Sequence, residues 1–288
     1  MSATVKPFFD QATYTWTYVV ADPATRHCVV IDPVLDFEPA SAKISSDSAD
    51  LIIDYIKAHD LTVDYLLETH VHADHLSASH YMRDKIGGEI GIGSDVTQVQ
   101  STFGGLFNTG EQFATDGSQF DHLFKDGDTL EVGKLTFRVM HTPGHTPACV
   151  TYVLGEQAAF VGDSLFMPDY GTARSDFPGG DAGALFDSIQ KILSLPAETV
   201  LYMCHDYLPE GRTEYSCKTT VAKEQNNIHL KDKDKGEFIA ARQARDKELA
   251  APRLLLPSIQ INMRAGELPP AEGNDVHYLK LPIKVATR

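Results

Sequence analysis

The pattern of apolar and polar positions in the first third of the chain predicts strands that alternate with helices. Two β-rich apolar runs, residues 13–20 and 27–33, are separated by a turn signal and predict a β-hairpin that opens a sheet. Apolar residues recur with a helical period over residues 46–59, which predicts an amphipathic helix. The apolar run over 62–67 predicts a buried strand, and a helix is expected after it over about 76–86.

The rest of the chain first alternates strands with turns and then becomes helical and charged. Glycine-bearing turns interrupt the apolar runs over residues 130–140 and 149–163, so each run predicts a pair of strands. An amphipathic helix is expected over 181–193, followed by a strand over 199–203. The further expectations are a short helix near 94–102, exposed helices over 220–229 and 235–250, a loop-like tail from residue 252, and a short strand over 276–281.

Length and composition indicate an ordinary globular protein. The chain has 288 residues, of which 42% are hydrophobic and 23% are charged. It is long enough to bury a substantial core without disulfides or structural metals. We expect a catalytic domain over residues 1–230 and a helical or loop-like extension over 231–288 that packs on the same domain.

The net charge of −15 argues against nucleic acid as a partner, because nucleic-acid-binding proteins normally carry a basic stripe. An anionic small substrate would therefore need basic residues close to its binding site. The cysteines show no paired spacing and are expected to be reduced thiols: Cys28, Cys149, Cys204 and Cys217. The N-terminus lacks the apolar core of a signal peptide, and no stretch approaches eighteen apolar residues, so no membrane span and a cytoplasmic location are expected.

The densest group of potential metal ligands is the hexapeptide His70-Val71-His72-Ala73-Asp74-His75. It follows a predicted strand and precedes a predicted helix, which is where open α/β sheets place their chemistry. His70 and His72 are two positions apart, so on an extended chain both rings point the same way and reach one ion. Asp74 and His75 can serve a second ion or the surroundings of the first. A solvated polar loop is the alternative, but so dense a cluster is improbable in a chain with twelve histidines.

Three more residues that can bind metals follow predicted strands. His145 lies in a rigid loop with two prolines and a glycine, Asp163 ends a strand, and His205 follows the strand over 199–203. Taken singly, each is more often a structural residue. Together with the hexapeptide they form a set that a packed sheet would bring together.

These motifs resemble the metallo-β-lactamase fold superfamily over roughly residues 10–207. The resemblance rests on HxHxDH at 70–75, PGHT at 143–146, VGD at 161–163 and the late His205. It implies an α+β fold, the αββα four-layer sandwich, with helices outside two mixed sheets and a metal site at one edge. Function varies among members of the fold, so the fold does not fix the chemistry.

Two branches of that superfamily fit best, and they differ in how they would use the same residues. In glyoxalase II, a thioester hydrolase, the resemblance implies two Zn or Fe ions: one held by His70, His72 and His145, the other by Asp74, His75 and His205, with Asp163 between them. In the persulfide dioxygenases it implies one Fe(II) held by His70, His145 and Asp163. The other motif residues, His72, Asp74 and His75, would then lie around the ligands.

Two segments favour the dioxygenase branch. Residues 171–177 resemble the G-x-[GA]-R-[ST]-D-F segment of that family, and the tail around 257–262 looks more like bacterial persulfide dioxygenases than the helical glutathione-binding domain of glyoxalase II. The expected reaction is the oxidation of glutathione persulfide by O2 to sulfite and glutathione, in sulfide detoxification. Hydrolysis of glutathione thioesters at a two-metal site is the alternative.

Candidate substrate contacts follow from the positions of residues along the chain and, for Arg174 alone, from the resemblance. His205 and Tyr170 are the candidate catalytic residues beside the iron. Glutathione carries two carboxylates, which arginine binds with two parallel hydrogen bonds. Arg174 is the first candidate for that contact, followed by Arg212, Lys218 and Arg264. A homodimer is expected by resemblance alone. A non-catalytic metal-binding or sensory module is a third interpretation, but structural metal sites are usually closed and often rich in cysteine.

Overall fold

In the computed structural model, which describes residues 3–283 and 285, two mixed six-stranded sheets pack face to face. In chain order the strands are β1 (Thr4–Asp10), β2 (Thr15–Ala21), β3 (His27–Ile31), β4 (Val34–Glu38), β5 (Lys43–Ser45), β6 (Thr62–Leu67), β7 (Leu76–Ser77), β8 (Glu89–Gly93), β9 (His122–Phe124), β10 (Thr129–Val132), β11 (Leu135–His141), β12 (Val150–Leu154), β13 (Ala158–Phe160), β14 (Val200–Tyr202) and β15 (Lys218–Thr220). The helices are α1 (Asp47–Ala58), α2 (Ser79–Ile86), α3 (Val96–Phe107), α4 (Ala182–Leu193), α5 (Val221–Glu224), α6 (Lys235–Asp246) and α7 (Leu255–Asn262).

The first sheet has the strand order β1-β2-β3-β6-β8-β9, and the second has β10-β11-β12-β13-β14-β15. The predicted β2–β3 hairpin is confirmed, and β3, β6, β8 and β9 run parallel to one another. The sequence prediction missed β1, a half-exposed edge strand whose Pro7 is tolerated there because an edge strand pairs on one side only. A small third sheet, β5-β4-β7, was also missed.

Alternation along the strands divides the apolar side chains among three cores. In β2 and β3, Val20 and Val29 face the second sheet, whereas Val19 and Val30 face the helices. Helices α1, α2, α3 and α7 cover the outer face of the first sheet. Helices α4 and α6 cover the outer face of the second sheet. These layers are the αββα sandwich that the sequence motifs predict, and they leave the ends of the strands open at one edge.

The C-terminal region differs from its prediction in three places. The tail from residue 252 is not all loop, since it contains the helix α7. Pro257 is tolerated in α7 because it lies in the first turn, where a backbone N–H has no partner within the helix. The helix expected over 220–229 ends at Glu224, and the strand expected over 276–281 does not form. Residues 276–281 lie exposed without a neighbouring strand, so their alternating pattern has nothing to pair with.

The extension after residue 230 packs on the same body as the rest of the chain. Ile259, Ile261 and Met263 are buried in the core that also contains the first sheet, and Phe238 is buried against α4. All four cysteines are free thiols. Within the described ranges, no helix is long and apolar enough to cross a bilayer.

Candidate metal centre

The predicted metal ligands converge where strands of both sheets end. His70 lies just beyond β6, His145 lies in the loop after β11, Asp163 follows β13, and His205 follows β14. All four side chains are buried to at least nine-tenths. The set assembled from strand ends in the sequence is therefore a single cluster in the folded chain.

One group in this cluster consists of two histidines and a carboxylate. The Nε2 atom of His145 lies 3.7 Å from Oδ2 of Asp163, and Nε2 of His70 lies 4.0 Å from the same oxygen. Three ligand atoms of these residues lie within 4.8 Å of one another, a spacing at which one ion can contact all of them. His70, His145 and Asp163 thus form one candidate metal site.

A second group lies on the other side of Asp163. Oδ1 of Asp163 is 3.3 Å from Nε2 of His205, which in turn is 3.2 Å from Oδ2 of Asp74. His72, Asp74 and His75 also offer ligand atoms within 4.8 Å of one another. The Asp163 carboxylate therefore stands between two groups of ligand atoms, and the geometry accommodates one or two ions.

Backbone carbonyl groups fix the orientation of three of these imidazoles. Nδ1 of His145 lies 2.8 Å from the Arg174 carbonyl oxygen, and Nδ1 of His75 lies 3.1 Å from that of Leu76. Nδ1 of His205 is 3.3 Å from the carbonyl oxygen of Tyr14. Because a carbonyl only accepts, Nδ1 must carry the proton, which leaves the Nε2 lone pair directed into the cluster.

The atoms that face the cluster are buried and lack hydrogen-bond partners. Within the described part of the chain these atoms are Nε2 of His70, Nδ1 of His72, Oδ2 of Asp74, Nε2 of His75, Oδ1 of Asp163 and Nε2 of His205. Burying so many polar atoms unpaired is costly unless another group satisfies them. Nitrogen and carboxylate atoms in this arrangement fit a metal ion.

Two buried carboxylates hold His72 in the opposite orientation, with Nε2 and not Nδ1 turned away from the cluster. Its Nε2 lies 2.9 Å from Oδ1 of Asp32 and 3.3 Å from Oε2 of Glu68, so its Nδ1 faces the cluster. The Asp32 carboxylate also accepts hydrogen bonds from the backbone and hydroxyl of Thr69. Neither Asp32 nor Glu68 belongs to the sequence motifs, although each directly follows a strand. His72 is consequently placed as a possible ligand rather than only as a residue around the ligands.

Burial makes His70 and His75 neutral, which is the form that binds metals. It lowers the pKa of His70 well below its ordinary value and that of His75 to about 3, and the neighbouring His72 reinforces both shifts. For His72 itself, burial lowers the pKa, but Asp32 and Glu68 outweigh it and raise the pKa well above normal. In the absence of a metal, His72 therefore carries the proton that its two carboxylates stabilise.

Two glycines let the backbone pass where a side chain would not fit. A Cβ at Gly144, in the loop of His145, would lie 2.3 Å from the backbone of Leu185 in α4. A Cβ at Gly162 would lie 2.7 Å from the Thr69 hydroxyl, and its φ of 52° favours glycine. The first close approach packs the loop of His145 against α4, and the second brings the residue before Asp163 against Thr69, next to His70.

A cavity of about 890 Å³ opens onto the metal cluster. Asp74, His145 and Asp163 lie at its inner end, and aromatic residues line the wall beside them: Phe166, Tyr170, Phe177 and Tyr207. Tyr170, a predicted catalytic residue, lies 4.9 Å from Tyr207 between ring centroids. Burial raises the pKa of both hydroxyls, so both stay protonated and can donate hydrogen bonds. Tyr207 does not belong to the sequence motifs, although it follows His205 by two residues.

His205, the other predicted catalytic residue, does not reach the cavity wall. Its side chain is fully buried behind Asp74 and Asp163, so it cannot contact a substrate in this cavity. The prediction of a direct catalytic contact is corrected by this placement. His205 can instead hold an ion or position the two carboxylates.

Of the four predicted substrate-binding residues, only Arg174 lines the cavity. Its guanidinium donates to both carboxylate oxygens of Asp176, at 2.6 and 2.8 Å, and to the Ala250 carbonyl at 2.7 Å. Arg174 thus connects the loop after Asp163 to the C-terminal extension. The guanidinium N–H groups that make none of these bonds are the ones that can bind a substrate.

The structure corrects the prediction for Arg212, Lys218 and Arg264. Arg212 pairs with Asp206 and with Asp169, at 2.9 Å from the latter. Arg264 stacks over Phe113 on the outer side of the first sheet, and Lys218 lies on the edge strand β15. None of these three side chains lines the cavity.

Other basic residues, which lie outside the sequence motifs, line the cavity instead. His229 lies just before the C-terminal extension, and Arg245 and Arg253 lie within it. Nδ1 of His229 accepts the Thr172 backbone N–H at 2.9 Å, and burial together with Arg242 and Arg245 lowers the pKa of His229 to about 4. Across the residues that are described, neither Arg245 nor Arg253 has an ion-pair partner. The cavity therefore joins a metal cluster to a wall with free hydrogen-bond donors and positive charge.

Comparisons with known proteins agree with this architecture. The sequence profile of the metallo-beta-lactamase superfamily matches residues 11–205. The chain is 54% identical to a protein of Burkholderia pseudomallei named probable metallo-hydrolase, over 97% of the chain and 99% of that protein. It is 48% identical to the beta-lactamase hydrolase-like protein of Agrobacterium fabrum, of which it spans 65%.

Two further matches concern ETHE1 proteins. The human mitochondrial persulfide dioxygenase ETHE1 is 33% identical, over 70% of the chain and 68% of that protein. The crystal structure of ETHE1 from Myxococcus xanthus superposes with a TM-score of 0.73 at 31% identity, and it covers 92% of the chain and 100% of the solved one. At 92% of the chain, the similarity to the Myxococcus xanthus structure extends beyond the metal cluster into the C-terminal extension.

Proposed function

Because the chain belongs to the metallo-beta-lactamase superfamily, we propose that it is a metal-dependent enzyme that oxidises a persulfide with O2. The observation that carries this proposal is the group formed by His70, His145 and Asp163 at the inner end of a deep cavity. Two histidines and one carboxylate are the ligand set of non-haem Fe(II) oxygenases, which keep coordination positions open. The likeness to ETHE1 supports the same reaction.

One Fe(II) per chain, held by Nε2 of His70, Nε2 of His145 and a carboxylate oxygen of Asp163, would supply the binding and activation of O2. The overall reaction balances as one persulfide, one O2 and one water giving one thiol, one sulfite and two protons. The chain's own contribution is to hold the terminal sulfur at the inner end of the cavity. Phe166 and Tyr207 exclude water from that end, and the Tyr170 hydroxyl can donate a hydrogen bond to the sulfur or to a sulfite oxygen.

The walls of the cavity suit glutathione as the carrier of the persulfide. Arg245 and Arg253 offer positive charge for its two carboxylates, and the neutral His229 offers an N–H donor. Asp36 and Glu38, which also line the cavity, can face its ammonium group. The cavity therefore offers both signs of charge to a zwitterionic thiol, despite the net charge of −15 for the whole chain.

A thioester hydrolase of the glyoxalase II type is the second candidate. The observation that favours it is the second group of ligand atoms from Asp74, His75 and His205, which with Asp163 would hold another Zn or Fe ion. The name metallo-hydrolase of the Burkholderia relative points in the same direction. Ions held there would supply the activation of water for thioester hydrolysis, and no O2 would be consumed.

Two assays on the same metal-analysed preparation separate the candidates. O2 uptake with glutathione persulfide, with sulfite formed in equal amount and about one iron per chain, is the result that we expect. The same preparation should hydrolyse S-lactoylglutathione slowly. Rapid hydrolysis without O2 uptake, in a protein with two metals per chain, would replace the first proposal with the second. The homodimer and the cytoplasmic location stay predictions.

A further inference from the structure

The last residue of α7, Asn262, lies against the loop that carries the metal ligands. Its side chain is 4% exposed, and it belongs to the C-terminal extension, outside the 11–205 region that matches the superfamily. Its amide group donates to the carbonyl oxygens of His72 and His75, both at 2.8 Å. Its amide oxygen accepts the backbone N–H of Ser77 at 2.7 Å.

These three hydrogen bonds hold the backbone at and just after the loop that carries the metal ligands. Residues 70–75 are in neither a helix nor a strand, and the two bonded carbonyls stand on either side of Asp74. Because Asn262 is hydrogen-bonded to the backbone before and after Asp74, it fixes the direction in which Asp74 and His75 present their side chains. A backbone that is held at both ends of a turn has little freedom to move its ligands away.

The hydrogen bond from Ser77 to Asn262 is also linked to the ring of His72 through the side chains of Ser77 and Glu68. The Ser77 hydroxyl donates to Glu68, and Oε2 of Glu68 lies 3.3 Å from Nε2 of His72. Glu68 and Asp32 together turn Nδ1 of His72 toward the cluster. Displacement of Ser77 would therefore loosen the group that orients His72.

The extension that presents Asn262 is itself firmly packed. Its neighbours Ile261 and Met263 are fully buried, and the Met263 carbonyl accepts a hydrogen bond from Gln100 of α3 at 3.0 Å. Gly266, with a φ of 86°, passes so close to the loop that a Cβ there would lie 2.8 Å from the Ser77 carbonyl. The loop over residues 70–75, together with Ser77, thus packs against a buried segment of the C-terminal extension.

We propose that Asn262 is a positioning residue of the metal centre, so that the C-terminal extension completes a site whose ligands all come from the preceding domain. Asn262 touches neither the reacting atoms nor an ion; it acts through the backbone of His72 and His75. This role is independent of the reaction, because it concerns only the geometry of the ligand atoms. It holds equally for one metal or two.

Metal titration of the apoprotein tests the proposal without any activity measurement. Asn262→Asp keeps the volume of the side chain but replaces both N–H donors with an oxygen that faces two carbonyls. Asn262→Ala removes all three hydrogen bonds. We expect each variant to bind Co(II), measured by competition with a chelator, about 10–100-fold more weakly than wild type. The visible absorption bands of bound Co(II) should shift as well, because the ligand geometry changes.

Gln260 provides a matched control two residues earlier in the same helix. It is also 4% exposed, and its amide makes three hydrogen bonds, to the Leu256 carbonyl and to both backbone groups of Lys280, but none to the metal loop. Gln260→Ala should lower the melting temperature as Asn262→Ala does, yet bind Co(II) with the affinity and spectrum of wild type.

Three outcomes would overturn the proposal. One is wild-type Co(II) affinity and spectrum in both Asn262 variants. Another is an equal loss of affinity in Gln260→Ala, which would mean that any damage to α7 has this effect. The third is failure of both Asn262 variants to fold while Gln260→Ala folds, because Asn262 would then be required by the fold and not specifically by the metal centre.

Discussion

Nδ1 of His145 donates to the backbone carbonyl of Arg174 at 2.8 Å, so the loop that lines the cavity also orients a metal ligand. The bond uses the backbone of Arg174, whereas its side chain connects Asp176 to the Ala250 carbonyl. The two functions of this residue can therefore be separated by mutation.

We expect Arg174→Ala to keep its metal and to raise KM for the persulfide. The carbonyl that orients His145 remains, but the cavity wall loses the guanidinium that anchors it to the extension. Metal content by mass spectrometry and steady-state kinetics would check this, with His145→Ala as the metal-free comparison. Loss of metal in Arg174→Ala would mean that the side chain is needed to hold its own carbonyl in place.

Asp163 lies between both groups of ligand atoms, so its mutation should weaken metal binding more than the mutation of any neighbouring residue. We expect Asp163→Ala to weaken metal binding by more than the roughly 100-fold that loss of an outer partner costs, and to abolish activity with it. Asp74→Ala is the informative comparison. At a one-metal site it should retain tightly bound iron, measured after dialysis against a chelator, whereas loss of that iron would indicate two ions.

The convergence of the candidate ligands could be predicted from the sequence, because these residues follow strands and neighbouring strands end at the same edge of the fold. The residues that orient the ligands could not. Asp32 and Asn262 are 40 and 190 positions from His72, and nothing in their local sequence marks them as its partners. Their role arises from the packing of distant segments, which no spacing motif records.

Charged residues were harder to assign than ligands for a related reason. A surface arginine has the same local pattern whether it faces a cavity or pairs with a nearby carboxylate. Arg212 is bound by Asp206 and Asp169, whereas Arg245 is unpaired in the described part of the protein and lines the cavity. Helix α6 places Arg245 there, and its position relative to the metal loop is a property of the fold.

Arg245 should therefore contribute to substrate binding and not to the chemical step. We expect Arg245→Glu to raise KM for an anionic persulfide roughly 10–100-fold, since a charge-assisted hydrogen bond contributes about 1.5–3 kcal/mol, while kcat changes less than about twofold. Arg26→Glu makes the same change of charge at an exposed ion pair with Asp60 and controls for net charge. An equal effect in both variants would show that long-range charge alone is responsible.

The last prediction concerns Glu224, a buried acid behind the loop of Tyr170. Burial raises its pKa to about 8, although the Asn227 side chain donates to Oε2 at 2.8 Å and opposes the shift. Because the folded pKa exceeds the unfolded value, the folded state binds the proton more tightly. The contribution of Glu224 to stability is therefore complete below the unfolded pKa near 4.5 and is lost as the pH rises to about 8.

Glu224→Gln should remove this dependence, because glutamine stays neutral and its oxygen can still accept from Asn227. We expect wild type to lose stability relative to the variant between pH 5 and 8, by at most a few kcal/mol at about 1.4 kcal/mol for each pKa unit. Urea unfolding at both pH values measures the difference. Glu248→Gln changes an exposed residue and should leave the wild-type pH dependence intact. If Glu224→Gln keeps that dependence too, another group is responsible for it, because only ionisation of Glu224 links this side chain to pH.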